Sequence, residues 1–301
     1  MGGWSKALKR ATKYIECAEL DSTVRSWEVK MTAREAGNWL PISALEIGFN
    51  ENKLPSTAEL AGKEINLFFQ NKAAIKYHFR DARSLVWEAT CGTERPVPRD
   101  ESYEAIKIEQ GLYFVDYVKQ REPRKSVSAS LNFNTRQALV INCTVPSRRE
   151  AGRSLIERMG GGLDLSPMKV EILKAGIDVS PSEAAPLKRS LDLIGKRVRY
   201  TYSRLHTYEH IYLNHRFYCW HCLEGPEKGM ADTDSCDYYK IARDIYLFIW
   251  REKIVPTVGI VMINFKKMRS DGKIFGLDLP SGRAINFTIG SRANIISETR
   301  R

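Results

Sequence analysis

The 301-residue chain has no apolar run approaching the roughly 20 residues that cross a bilayer as a helix. No membrane span is expected. Cysteine is sparse. Cys17, Cys91, Cys143, Cys219, Cys222 and Cys236 show no regular pairing pattern and no secretory leader precedes them, which predicts a reduced, cytoplasmic chain. The start Met1-Gly2-Gly3-Trp4-Ser5-Lys6 places its hydroxyl one position early for myristoylation, so no lipid anchor is expected. Phosphate-loop, dinucleotide and Gly-x-Ser-x-Gly patterns are missing, and Gly225-Pro226-Glu227-Lys228-Gly229 reads as a turn. Redox and nucleotide chemistry are therefore disfavoured. Cys219-Trp220-His221-Cys222, with Asp234 and Cys236, does not make a zinc site. On a strand Cys219 and His221 face one way and Cys222 the other, and no paired Cys-x-x-Cys completes four ligands. No metal and no cofactor are expected.

What is present is the composition of a folded globular protein, 43% hydrophobic, 28% charged and 10% aromatic. The length suits two modest domains. The net charge of +11 raises anionic partners. Acidic residues are interspersed and no long Lys/Arg block appears, so nucleic acid is not an expected partner. The expected partner is a small-molecule substrate or ligand, with a homodimer left open.

Residues 4–20 carry Trp4, Leu8, Ala11, Ile15 and Ala18 at helical spacing, which predicts a short amphipathic helix flanking the folded body. From Leu60 the pattern changes to short, alternating, β-branched and aromatic segments at 64–69, 74–79, 84–90, 103–108, 112–119, 126–132 and 138–144. That is a meander. The reading divides the chain into a helical extension (1–50), a first barrel (51–147), a linker with a helix at 149–159 (148–188) and a second barrel (189–301).

An internal repeat at an offset of 133 residues decides the architecture. Leu60, Gly62 and Lys63 recur as Leu193, Gly195 and Lys196; Trp87 recurs as Trp220, Gly92 as Gly225 and Tyr113 as Tyr246. A duplicated meander hides its strand edges by closing on itself. The expected fold is mainly β: two tandem lipocalin-like (calycin) antiparallel β-barrels with a short N-terminal helix.

The densest polar and aromatic run is Tyr208-Glu209-His210-Ile211-Tyr212-Leu213-Asn214. On a strand Tyr208, His210, Tyr212 and Asn214 share a face, and Glu209, Ile211 and Leu213 share the other. Facing inward, the first set binds a carbonyl or carboxylate and moves a proton; facing outward, it is ordinary surface. The inward face is the expectation, since the first copy has Phe79 at the position of Tyr212. Trp250-Arg251-Glu252-Lys253 ends an apolar strand. Arg251 offers a clamp for a carboxylate and Glu252 an acid or base, against the alternative of a solvated strand end. Trp220, Tyr246, Phe248 and Trp250 are the candidate apolar lining.

These residues resemble the molybdenum cofactor biosynthesis protein F (MoaF) family. The resemblance is carried by 208–213, Tyr218-Cys219-Trp220, Cys222-Leu223, 225–229, Asp232-Thr233-Asp234 and 246–253, and more loosely by 111–117 and Ser126-Val127-Ser128. It covers roughly residues 55 to 295 and implies paired calycin-type domains. The family name implies molybdenum, but no pterin or metal pattern accompanies it. The functional expectation is a lyase, isomerase or cyclase for a small, partly apolar metabolite. The alternative is a non-catalytic binding or carrier protein, including one linked to molybdenum cofactor biosynthesis.

Overall fold

The computed structural model describes residues 40–89 and 98–299. The helix expected at 4–20 lies outside the described residues, as do Cys17 and Cys91. The first eight strands are β1 (Glu64–Phe69), β2 (Ala74–Phe79), β3 (Ser84–Ala89), β4 (Arg99–Glu109), β5 (Leu112–Val118), β6 (Lys125–Asn132), β7 (Gln137–Thr144) and β8 (Lys169–Ile177). They close in sequence order, with β8 paired to β1. The second eight are β9 (Lys196–Thr201), β10 (Thr207–Tyr212), β11 (Phe217–Glu224), β12 (Ala231–Ala242), β13 (Ile245–Arg251), β14 (Thr257–Asn264), β15 (Arg269–Asp278) and β16 (Arg283–Glu298). They too form a closed barrel, β16 returning to β9. All pairings are antiparallel, so the fold is two tandem eight-stranded barrels. Among the described residues no helix is long and apolar enough to cross a membrane.

The duplication is visible in hydrogen bonds as well as letters. Gly62 N–H donates to Phe79 O at 2.7 Å and Gly195 N–H to Tyr212 O at 2.8 Å. Both glycines have positive φ, 77° and 88°, which explains why the repeated turn keeps glycine. Tyr113 donates to Glu59 and Tyr246 to Asp192, while Lys107 and Lys240 pair with the same two acids. Between β5 and β6 the offset shortens by one residue: Leu112 opposes Asn132, whereas Ile245 opposes Asn264.

Two segments differ from the sequence reading. The stretch 148–188, read as a linker, supplies β8, which closes the first barrel. Its mixed run Lys169-Val170-Glu171-Ile172-Leu173-Lys174 shows too weak an alternation to announce a strand. The helix expected at 149–159 is two short helices, α2 (Arg148–Ala151) and α3 (Leu155–Gly160), following α1 (Ile42–Leu45). Each of α2 and α3 starts with its own capping box, Ser147 with Glu150 and Ser154 with Glu157. A second cap interrupts a helix because its serine adopts extended backbone.

The first barrel is filled by Leu67, Phe79, Tyr103, Val115, Leu131, Val140 and their neighbours. The barrels pack against each other through their outer faces, where Ile106, Phe114, Ile141, Leu247, Ile260 and Phe275 share one apolar cluster. This is why β13 reads as an apolar run and β5 as one broken only by Asp116: both faces of each strand are buried.

Residues 41–54 precede the first barrel in sequence yet lie against the second. Asn52 N–H donates to Tyr202 O, Phe49 O accepts from Gly290 N–H, and Arg269 donates to Asn52 O. Ser43 Oγ donates to Asp278, and the Phe49 ring sits 4.7 Å from Tyr202 and 4.5 Å from His206. The segment, whose residues 41–50 the sequence reading places in the N-terminal extension and 51–54 in the first barrel, therefore caps the mouth of the second barrel.

Candidate functional site in the second barrel

Alternation along β10, β11 and β13 turns Tyr208, His210 and Tyr212, then Tyr218 and Trp220, then Phe248 and Trp250, into the second barrel. A hollow remains among them, lined by Leu45, Phe49, Tyr202, Tyr208, His210, Tyr218, Trp220, Glu227, Trp250, Glu252, Val255 and Ile274. Counted out to its open end the unfilled space is about 520 Å³, and the part wide enough for a water molecule is about 50 Å³. The hollow is narrow and favours flat or small occupants.

His210 lines it, packed among aromatic rings. Its ring lies 4.8 Å from Tyr200, 5.1 Å from Tyr218, 5.8 Å from Phe248 and 6.0 Å from Trp250. Nδ1 has no hydrogen-bond partner within the protein, and burial pushes the imidazole down to about 3, so the ring is uncharged at neutral pH.

Three carboxyl groups stand nearby. Glu227 accepts from Tyr208 Oη at 2.9 Å, and burial raises its pKa. Glu252 accepts from Trp250 Nε1 at 3.3 Å and is held well above the usual carboxylate range, by burial first and by the neighbouring Asp234 second. Asp234 accepts from Trp220 Nε1 at 3.0 Å and from Lys253 N–H at 2.9 Å, and is raised to about 6, mainly by burial. Lys253 is committed elsewhere: its ammonium bonds to Asp232 and to Thr233 O and lies 3.9 Å from Asp234. The Trp220 pairing is scaffold, because Trp87 donates to Glu101, and Glu101 accepts from Gln120 N–H, at the matching places of the first barrel.

The structure brings together Tyr208, His210, Trp220, Trp250 and Glu252 around the hollow. Tyr212 and Phe248 form the layer behind it: Tyr212 shares a 2.7 Å hydrogen bond with Tyr200, and Phe248 stacks between Tyr238 and Trp250. Three expected residues are elsewhere. Arg251 follows an inward Trp250 and so points outward, where it pairs with Asp237 at 2.8 Å. Asn214 sits in the exposed turn after β10 and accepts from the backbone of Arg216 and Phe217. Tyr246 is tied to Asp192 at 3.0 Å and does not reach the hollow.

Glu227 went unread because it lies in the 225–229 turn, which carries no alternation. Leu45 and Phe49 were out of reach for the same reason, since only tertiary packing lays them on the barrel mouth. Tyr218 was legible: it is two residues from Trp220 on a strand. Among the described residues no group of three His, Cys, Asp or Glu side chains is arranged to hold a metal ion.

Room for the Trp250 indole comes from Gly259, its cross-strand partner. A Cβ at Gly259 would fall 1.9 Å from Trp250 Cζ2. Gly259→Ala is expected to displace the indole and cost about 1–3 kcal/mol through overpacking. Urea unfolding with tryptophan emission as the probe checks this, and an unchanged midpoint and spectrum would refute it.

The fold and site define a duplicated calycin-like barrel protein whose second barrel keeps an aromatic and acidic hollow. Residues 37–147 match the MoaF N-terminal domain and residues 187–299 the MoaF C-terminal domain. The chain belongs to the MoaF family. It is 35% identical over 266 residues to "Protein MoaF" of Klebsiella aerogenes, covering 87% of this chain and 97% of that one. A crystal structure of a Burkholderia vietnamiensis protein, 17% identical, aligns with 36% of this chain and 99% of its own at a TM-score of 0.31.

Proposed function

We propose that the second barrel takes up a small, partly apolar molecule and moves a proton on it with the chain's own side chains, as a lyase, isomerase or cyclase does. The observation that carries this reading is that a carboxyl and an imidazole face one aromatic hollow with burial favouring the uncharged form of each: Glu252, whose pKa is raised, and His210, whose pKa is lowered. Environments that drive two titratable groups apart in this way are how a site assigns an acid and a base at one pH. Glu252 gives a proton to the bound molecule, and His210 Nδ1 accepts one from it. The carboxylate left on Glu252 then favours the imidazolium that forms. Tyr208, already donating to Glu227, orients the occupant, and Trp220 and Trp250 form its apolar walls.

Native mass spectrometry of the purified protein tests the reading. The expected result is a retained small molecule that is converted on incubation with wild-type protein and recovered unchanged from His210→Ala. Recovery of the molecule unchanged from the wild type would make the barrel a carrier. Equal conversion by both proteins would remove His210 from the chemistry.

A further inference from the structure

We propose that the occupant of this hollow is a small organic cation, an ammonium or amine, held by the aromatic rings and by Glu227 and Glu252. The proposal rests on the reading above that the hollow binds a small molecule, and it names the chemical class.

Six aromatic rings line the space, those of Phe49, Tyr202, Tyr208, Tyr218, Trp220 and Trp250, together with two acids, Glu227 and Glu252. None of the described lining residues is a lysine or an arginine. Ring faces carry a negative quadrupole that attracts a cation, most strongly where water is excluded. The two carboxyl groups have neutral hydrogen-bond donors only, the Tyr208 hydroxyl and the Trp250 indole N–H. His210, 5% exposed and with Nδ1 unpartnered, lines the same space and points independently to an absent hydrogen-bonding occupant. An anionic ligand finds no counterpart, since Arg251 lies outside the barrel.

The first barrel shows what the duplicated arrangement accommodates. At the position equivalent to Glu252, 133 residues earlier, stands Lys119. Its ammonium lies 4.8 Å from the centre of the Trp87 ring, and Trp87 donates to Glu101. One copy thus sets a cation of its own on its tryptophan. The other has exchanged that lysine for a glutamate and opened a hollow.

The test uses two sets of probes of matched shape and different charge, with affinities read by isothermal titration on the full-length protein. One set is choline, 3,3-dimethylbutan-1-ol and 3,3-dimethylbutanoate; the other is benzylammonium, benzyl alcohol and benzoate. The cation of at least one set should bind about tenfold or more tightly than its neutral partner. Its binding should release protons, as a buried carboxyl ionises beside it. In Glu227→Gln/Glu252→Gln the preference should shrink to within about twofold, with the neutral alcohol bound as before, which also shows that the variant is folded. Alcohols that bind as well as the cations would overturn the cation and leave the binding reading standing. Failure of every probe at all charges would count against both. A cation preference that survives in the double variant would remove the two glutamates from the proposal.

Discussion

Lys273→Met alone is expected to lower the unfolding free energy by about 3–5 kcal/mol. Lys273 on β15 has no exposed surface, and its ammonium lies 2.7 Å from Asp116 on β5 of the other barrel. Asp116, 3% exposed, also accepts from Ser128 at 2.8 Å and from Asn286 at 2.7 Å, and Lys273 donates to Ser126 at 2.7 Å. The pair is set in the apolar interface between the barrels, where removing one charge strands the other without water. The attraction barely exceeds the cost of desolvating both groups, so Asp116→Leu/Lys273→Met should recover most of the loss. Urea unfolding of the three proteins decides: a single variant within about 1 kcal/mol of wild type would mean that water reaches the site.

Glu252→Gln is expected to lower turnover of the retained molecule by about 10²–10⁴-fold, since the amide keeps the shape and loses the proton. The pH dependence has a definite sign. Burial and Asp234 hold the folded-state pKa of Glu252 well above 4.5, so activity that needs the protonated acid falls as pH rises through that value. Stability moves the same way. From about pH 4.5 upward the unfolded chain gives up this proton while the folded chain keeps it, so the folded state loses ground until its own pKa is passed. The stability of Glu252→Gln relative to wild type should therefore increase across that window. Rates and urea midpoints measured from pH 5 to 8 check both statements, and a relative stability that declines with pH would contradict the assigned environment.

The repeat made the scaffold readable. Strand positions, the Leu-x-Gly-Lys turn and the equivalence of Trp87 with Trp220 follow from letters that keep one spacing, because each copy must repeat the same closed pairing. The inward set Tyr208, His210 and Tyr212 followed from period-two alternation once β10 was placed. Arg251 did not obey the wish for a charged clamp, although the same alternation, applied from Trp250, sends it outward. Asn214 fell outside because β10 ends at Tyr212. The residues that were out of reach, Glu227 in a hairpin turn and Phe49 on a strap from the far end of the chain, carry no periodic signal.

By itself, then, the sequence determined two copies of one barrel and which side chains of each strand share a face, since backbone pairing and side-chain alternation are local rules. Only the tertiary structure decided that the first interior is filled and the second left open, that residues 41–54 cap the later barrel, and that Asp116 meets Lys273. Those outcomes depend on how side chains far apart in sequence fill a shared volume, and no spacing along the chain encodes a volume.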